Sequence, residues 1–484
     1  MFPFGPWAPD LSDYEAGATA SLANVLPRED GYGPVPDFSA YTSALPAVCR
    51  GAFYARKSDA SVALFAGTST KLYLLSNTDF SWTDVSLGAG TYSALSSTDQ
   101  WQFVQFNNFV IATQANAVMQ VFDLTSSVAF ANLGGSPPQA RYLSVVGRFL
   151  VASGLLSNPY RVQWSGLNAT TTWTSGTNQS DFQDLADGGI VRGVAGGEFG
   201  VIFQDATIRR MTYAPGSPVI FQIDRIAEDK GLQAPYSLVS AGDRRFFLSQ
   251  QGFWSLSSGS GFQPIGKERV DRTFFADWDN SAIHLTIGAA DPAAARVYWA
   301  YKSKSGTSGL FDKLLCYDYA LDRWSPVTTS GEYLFALART GLTLENLDSI
   351  SSSIDALPFS LDDVSTASAP ILSKCDSSHK AALASGSNLE ATLTSSERGA
   401  APRRIFVRGF APIMDAPTCY GSVSSRENMQ AAATFSTEQA MNAQGIVPAR
   451  VSTRYARGRI RIPAGTTWTF ASGIEPDVVT EGMR

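Results

Sequence analysis

A strand–turn–strand theme that returns along most of the chain is the feature that most limits its fold. Short apolar or aromatic runs closed by Gly, Asn or Asp turns recur at 70–86, 101–124, 140–154, 196–213, 244–259 and 295–327. In the last of these, Val297, Trp299 and Tyr301 share one face of a period-two pattern, and Arg296, Tyr298 and Lys302 point the other way. A propeller blade takes about 40–45 residues and four strands, so the span 48–340 holds about six blades. The physical logic fits: each small sheet is apolar on both faces, packs on its neighbours, and ring closure covers the first and last. A β-sandwich with long hairpins is the alternative topology. The expectation is therefore an all-β chain: a β-propeller of about six blades, with an extended N-terminal arm and a smaller C-terminal β-domain.

The segments around this core read differently. Residues 1–47 are rich in Pro, Gly and Asp and read as an extended arm with isolated aromatics. Such rings seek burial, either against the chain's own body or on a neighbouring subunit; Phe4, Trp7 and Tyr14 are the candidate subunit contacts. Residues 341–398 turn Ser-rich and read as a loop region or an irregular last blade. Strands resume in a C-terminal β-domain, 399–484. There Arg457, Arg459 and Arg461 fall on one face of a strand and Gly458, Ile460 and Ile462 on the other. The arginine ladder is a second candidate interface, with a solvated strand face as its plain alternative. The segment 431–445 has helical propensity but is flanked by strands, and its state is open.

Composition narrows the functional classes. Only 17% of residues are charged, against about a quarter in an average domain. The net charge is −6, which argues against non-specific nucleic-acid binding. Its distribution is uneven: residues 397–484 carry +4 and the remainder −10. The four cysteines, Cys49, Cys316, Cys375 and Cys419, are widely spaced and read as reduced thiols rather than a disulfide framework. The N-terminus lacks a basic n-region and an apolar h-region, so synthesis in a cytoplasm is expected. No 18-residue apolar run is present, so no membrane-spanning segment is expected.

Catalytic chemistry finds little support. There are two histidines, His284 among apolar residues and His379 in the Ser-rich stretch; the first reads as a satisfied strand residue and the second as solvated. Nucleotide-binding glycine loops and metal-ligand spacings are lacking. The carboxylate pairs Asp277/Asp279 and Asp362/Asp363 read as solvated turn residues. Trp164, Trp173, Trp254, Trp299 and Trp324 read as core, with sugar stacking as the alternative use. No catalytic, cofactor-binding or metal-ligating residue is assigned, and the chain is expected not to be an enzyme.

Four stretches together resemble the tail hub or nozzle (phage stabilisation) proteins of short-tailed bacteriophages. They are PDLSDYEAGATASLANVLPREDGYGPVPDFSA near the N-terminus, the Trp-bearing segment 162–185, the run 188–239, and YARGRIRIPAGTTWTFASGIEPDV near the C-terminus. The resemblance implies a propeller assembled as a homohexameric ring in the virion tail, below the portal and its adaptor. Such a ring is assembled in the host bacterial cytoplasm, extends the DNA channel, retains packaged DNA and docks fibres or spikes. Double-stranded DNA would pass its lumen without specific binding. A carbohydrate-binding or glycan-cleaving propeller acting in receptor recognition is the alternative, and a cellular propeller scaffold a third reading.

Overall fold

The computed structural model describes residues 2–12, 14, 17–19, 21–59, 61–259, 261–291, 294–338, 353, 370–399 and 403–481. Among them seven antiparallel four-stranded sheets follow one another as blades. Blades 1 to 6 span 52–84, 102–132, 140–184, 191–227, 239–264 and 287–331. Blade 7 takes three strands from 333–388 and its fourth, Pro36–Ala44, from the N-terminal segment. That strand runs antiparallel to Lys380–Asn388, with Ser39 opposite Leu383 and Ala40 opposite Ala382.

The all-β propeller is thus as the sequence reading has it, but the blade count is seven rather than six. The span 48–340 does hold six. The seventh lies partly in the Ser-rich segment, and its closing strand lies some 340 residues upstream of its pairing partner, so no contiguous repeat marks it. Most of 341–369, including Asp362 and Asp363, lies outside the described residues.

The blades form a ring because their sheets are apolar on both faces. Val62–Gly67, Phe149–Leu155 and Gly200–Gln204 are buried along their whole length and read as continuous rather than alternating apolar runs. The alternation in blade 6 separates two layers. Val297, Trp299 and Tyr301 pack toward blade 5, whereas Tyr298 and Ala300 pack toward blade 7. Similar apolar layers lie between the other neighbours, and one containing Leu64, Ala66, Phe335 and Leu337 joins blade 7 to blade 1. Among the described residues, ring closure leaves no apolar blade face without a neighbour.

The second body is a β-sandwich built from both ends of the chain. One sheet orders Val25–Arg28, Gly31–Pro34, Ala471–Thr480, Ile405–Met414 and Val447–Thr453, with Phe2–Pro3 also on Ala471–Thr480. The other orders Leu22–Ala23, Ala391–Thr394, Tyr455–Ile462, Tyr420–Arg426 and Thr434–Phe435. The segment 431–445 contributes the short strands Thr434–Phe435 and Gln439–Ala440.

The N-terminal segment is therefore not a free arm: it supplies strands to both sandwich sheets and to blade 7. Its strand Val25–Arg28 lies along the outer strand of blade 6. The Arg296 guanidinium donates to the Pro27 carbonyl at 2.9 Å and the Arg323 guanidinium to the Arg28 carbonyl at 2.7 Å. One apolar cluster runs from the blade 5–6 layer into the sandwich core.

The propeller axis is covered at one end. The Gln100 backbone N–H donates to the Tyr236 hydroxyl at 3.0 Å, and the Gln100 side-chain amide donates to the His284 carbonyl at 2.6 Å. These residues sit in the connections entering blades 2, 5 and 6, so segments from distant parts of the ring meet over the axis. Beneath them lies a polar cavity of about 260 Å³ lined by Gln102, Tyr142, Arg192, Ser240, Gly288 and Tyr333, one from each of blades 2 to 7.

Candidate interaction surface

The strand Tyr455–Ile462 alternates as its sequence demands: Gly458, Ile460 and Ile462 are buried, and Arg457, Arg459 and Arg461 lie on the other, partly exposed face. The three arginines are not equivalent. Arg461 is neutralised within the chain by Glu438 at 2.8 Å and Glu390 at 3.0 Å, and its guanidinium lies over Tyr420 at 4.6 Å. The Glu438 hydrogen bond leads the effects that raise the Arg461 pKa. Arg457 and Arg459 both approach the ring of Phe435, at 5.5 and 3.5 Å.

Arg459 has no ion pair among the described residues. Its Nε is buried without a hydrogen-bond partner. Burial, and then the neighbouring positive charge of Arg457, push its pKa down. A partly buried guanidinium held over an aromatic ring and beside a second guanidinium pays desolvation, and the nearby Glu438 charge, already paired with Arg461, offsets this only in part. An incoming carboxylate or phosphate would relieve it, and a fork-shaped donor suits both.

The aromatic contacts expected of the arm fall otherwise. Phe4 is 3% and Trp7 8% exposed, both inside the cluster shared by sandwich and propeller. The Phe4 N–H donates to the Ser472 carbonyl at 2.9 Å. These two rings are buried in the chain's own core and offer no surface to a neighbour. Tyr14 stays at the surface, 49% exposed, with its ring edge-on to Tyr455 at 6.0 Å. Of the six candidate contacts the fold thus brings Tyr14 and the ladder to one region of the sandwich and removes Phe4 and Trp7.

The remaining candidates also have definite places. His284 lies on a short 3-10 turn rather than a strand. Its Nδ1 is buried without a partner, so it is not the satisfied side chain expected, and burial followed by the Arg50 charge lowers its pKa. His379 is not simply solvated: its Nδ1 lies 2.5 Å from Oε1 of buried Glu332. Asp277 accepts from the Tyr301 hydroxyl at 3.1 Å and from Lys313 at 2.7 Å. Asp279 caps the following turn and takes Lys302 at 2.8 Å, which holds its carboxyl down at about 2. Each carboxylate thus has its own lysine. Trp164, Trp173, Trp299 and Trp324 are core residues, and Trp254 is half-buried beside the Lys230 ammonium at 4.8 Å. Among the described residues no helix is long and apolar enough to cross a membrane.

Sequence reasoning found the ladder but not what distinguishes its members. Glu390 comes from one segment and Phe435 and Glu438 from another, the stretch 431–445 whose state the sequence leaves open. No family model matches the chain, and no curated protein matches it. Among solved structures it is similar to dihydro-heme d1 dehydrogenase NirN in complex with DHE, at 14% identity and a TM-score of 0.34, over 63% of this chain and 60% of that one. It is also similar to a quinonprotein alcohol dehydrogenase-like protein from Bacteroides thetaiotaomicron VPI-5482, at 10% identity and a TM-score of 0.33, over 58% of this chain and 67% of that one. The chain spans about three-fifths of the length of the first.

Proposed function

We propose that the chain is a structural, non-enzymatic component of a short-tailed phage virion: a subunit of a homo-oligomeric ring in the tail, below the portal and its adaptor. The observation that carries this reading is Arg459, a partly buried cation with no ionic partner among the described residues, on a sandwich whose segment is basic while the rest of the chain is acidic. A second copy supplies a carboxylate for Arg459, since Glu390 and Glu438 of its own chain are taken by Arg461, and repetition of a head-to-tail contact generates a ring. The excess negative charge of residues 1–396 suits a conduit that passes DNA without holding it. Because the propeller axis is covered, the conduit runs between subunits rather than through one. Fibres or spikes dock on the outer surface.

The carbohydrate reading loses ground, since four of its five tryptophans are buried. The test is ring formation by the full chain on an isolated portal–adaptor complex, read by native mass spectrometry. Wild type forms a ring of fixed stoichiometry and Arg459→Glu does not. A ring formed equally by the variant, or no ring from wild type, overturns the reading.

A further inference from the structure

Two of the four cysteines meet at the seam where the propeller closes. Cys49 and Cys375 are each 1% exposed and share the apolar layer between blades 7 and 1. Cys49 lies in the connection from the closing strand Pro36–Ala44 to blade 1, and Cys375 ends the second strand of blade 7. Glu332 ties the two backbones together. Its carboxylate accepts from the Cys49 N–H at 2.8 Å, and its own N–H donates to the Cys375 carbonyl at 2.8 Å. The Cys49 thiol donates to the Gly51 carbonyl at 3.5 Å and lies near enough to the Cys375 thiol to push it up. The other cysteines have different neighbours: the Cys419 thiol faces the Met441 sulfur at 4.0 Å, and Cys316 is buried in the blade 6–7 layer beside Tyr298 and Ser325.

We propose that Cys49 and Cys375 form a disulfide that locks the propeller ring once the chain meets an oxidising environment. The oxidant is a small-molecule disulfide of the glutathione class. One protein thiolate attacks it, forming a mixed disulfide and releasing one thiol. The second protein thiolate then attacks the protein sulfur of that intermediate and releases the second thiol. One S–S bond breaks and one forms, and the two protein thiol protons leave on the two released thiols. The protein is oxidised by two electrons and the reagent reduced by two.

In a reducing cytoplasm the pair stays as thiols. Both sulfurs are shielded, and the neighbouring Cys49 thiol, followed by burial, pushes the Cys375 thiol well up. Exchange therefore takes place as the ring closes during folding, or on transient release of the closing strand. The bond would span almost the entire ring in sequence, from the entry to blade 1 to the middle of blade 7. Restriction of the unfolded chain grows with the length of loop closed. It would also hold shut the one blade completed by a strand from the other end of the chain.

The experiment uses the full chain, unfolded and refolded in a mixture of reduced and oxidised glutathione, and in parallel the folded chain incubated with oxidised glutathione. Intact mass and non-reducing peptide mapping read the product, and denaturant jumps read the unfolding rate. The expected result is a loss of about 2 Da after refolding and one cross-linked peptide pair containing Cys49 and Cys375. Cys316 and Cys419 remain open to alkylation once the product is denatured. Unfolding slows by about tenfold relative to the reduced protein. Cys49→Ser and Cys375→Ser each abolish the mass loss, and Cys316→Ser does not. The peptide map of the wild type stands even if a variant fails to fold. No cross-link after refolding, or one that involves Cys316 or Cys419, overturns the proposal.

Discussion

Asp10 caps a helix that begins some 260 residues further along the chain: its carboxylate accepts from the Thr273 backbone N–H at 2.8 Å and from the Thr273 hydroxyl at 2.7 Å. A second oxygen accepts from the Arg272 N–H at 2.8 Å. The helix, Asp271–Asp277, lies in the connection between blades 5 and 6 and has no side-chain cap from its own N-cap residue, Val270. The orphan amides of its first turn are met instead by the N-terminal segment. This contact pins the segment to the propeller.

Asp10→Ala removes that cap at a cost of about 1 kcal/mol, seen as a fall of about 1 °C in the thermal midpoint of a chain this long. Deleting residues 1–40 goes much further. It removes strands from both sandwich sheets and most of the closing strand of blade 7, so the truncated chain loses cooperative folding rather than assembly alone. A soluble truncated monomer with one sharp transition would contradict this.

Asp271, the first residue of that helix, predicts a pH dependence. Its carboxyl sits against Gly252 and Gly266, where an added Cβ would come within 2.0 Å of its oxygens. Burial first, and then the Asp10 charge, push its pKa from 3.8 to about 7. A carboxyl whose folded pKa is raised contributes stability that is complete below 3.8 and is lost as pH rises through about 7. Between pH 5 and 8 the midpoint of wild type therefore falls relative to Asp271→Asn. A difference between the two that does not change with pH would remove the account of this site.

Trp299 and Trp324 stack at 5.6 Å in the layer between blades 5 and 6, and both are essentially unexposed. The indole N–H of Trp299 donates to the Ser237 carbonyl and that of Trp324 to the Ile265 carbonyl, each at 2.9 Å. Trp324→Ala should cost about 3–5 kcal/mol by denaturant titration. Trp254→Ala, at a half-exposed site, should cost much less. Equal costs would contradict the packing described.

Within the ladder, Arg461→Ala breaks ion pairs that are partly exposed, and about 1 kcal/mol or less of stability is expected to go. Arg459→Ala should leave the monomer as stable as wild type or slightly more so, because it removes a like charge beside Arg457. Its loss should appear in assembly instead. Thermal melts of the two variants, set beside their ring formation, separate the roles.

The sequence speaks clearly where a strand's periodicity has one physical solution. The alternation of Val297, Trp299 and Tyr301 against Tyr298 is local and survives into two apolar layers. So does the alternation of Arg457, Arg459 and Arg461 against Gly458, Ile460 and Ile462. The pairing of Ser39 with Leu383, and the capping of residues 272 and 273 by Asp10, are contacts between the two ends of the chain, and no local spacing encodes them. For the same reason Phe4 and Trp7 read as adhesive from composition, whereas the strands returning from the C-terminal end bury them. The difference between Arg459 and Arg461 rests on Glu390 and Glu438, which the fold brings in from separate strands and turns.

The most direct test of the proposed role is quantitative peptide mass spectrometry on purified virus particles from the source, with the copy number of this chain measured against the portal. The account predicts that the chain is present in a fixed, low copy number that keeps a constant ratio to the portal from one preparation to the next. Its absence from particles would contradict a place in the tail.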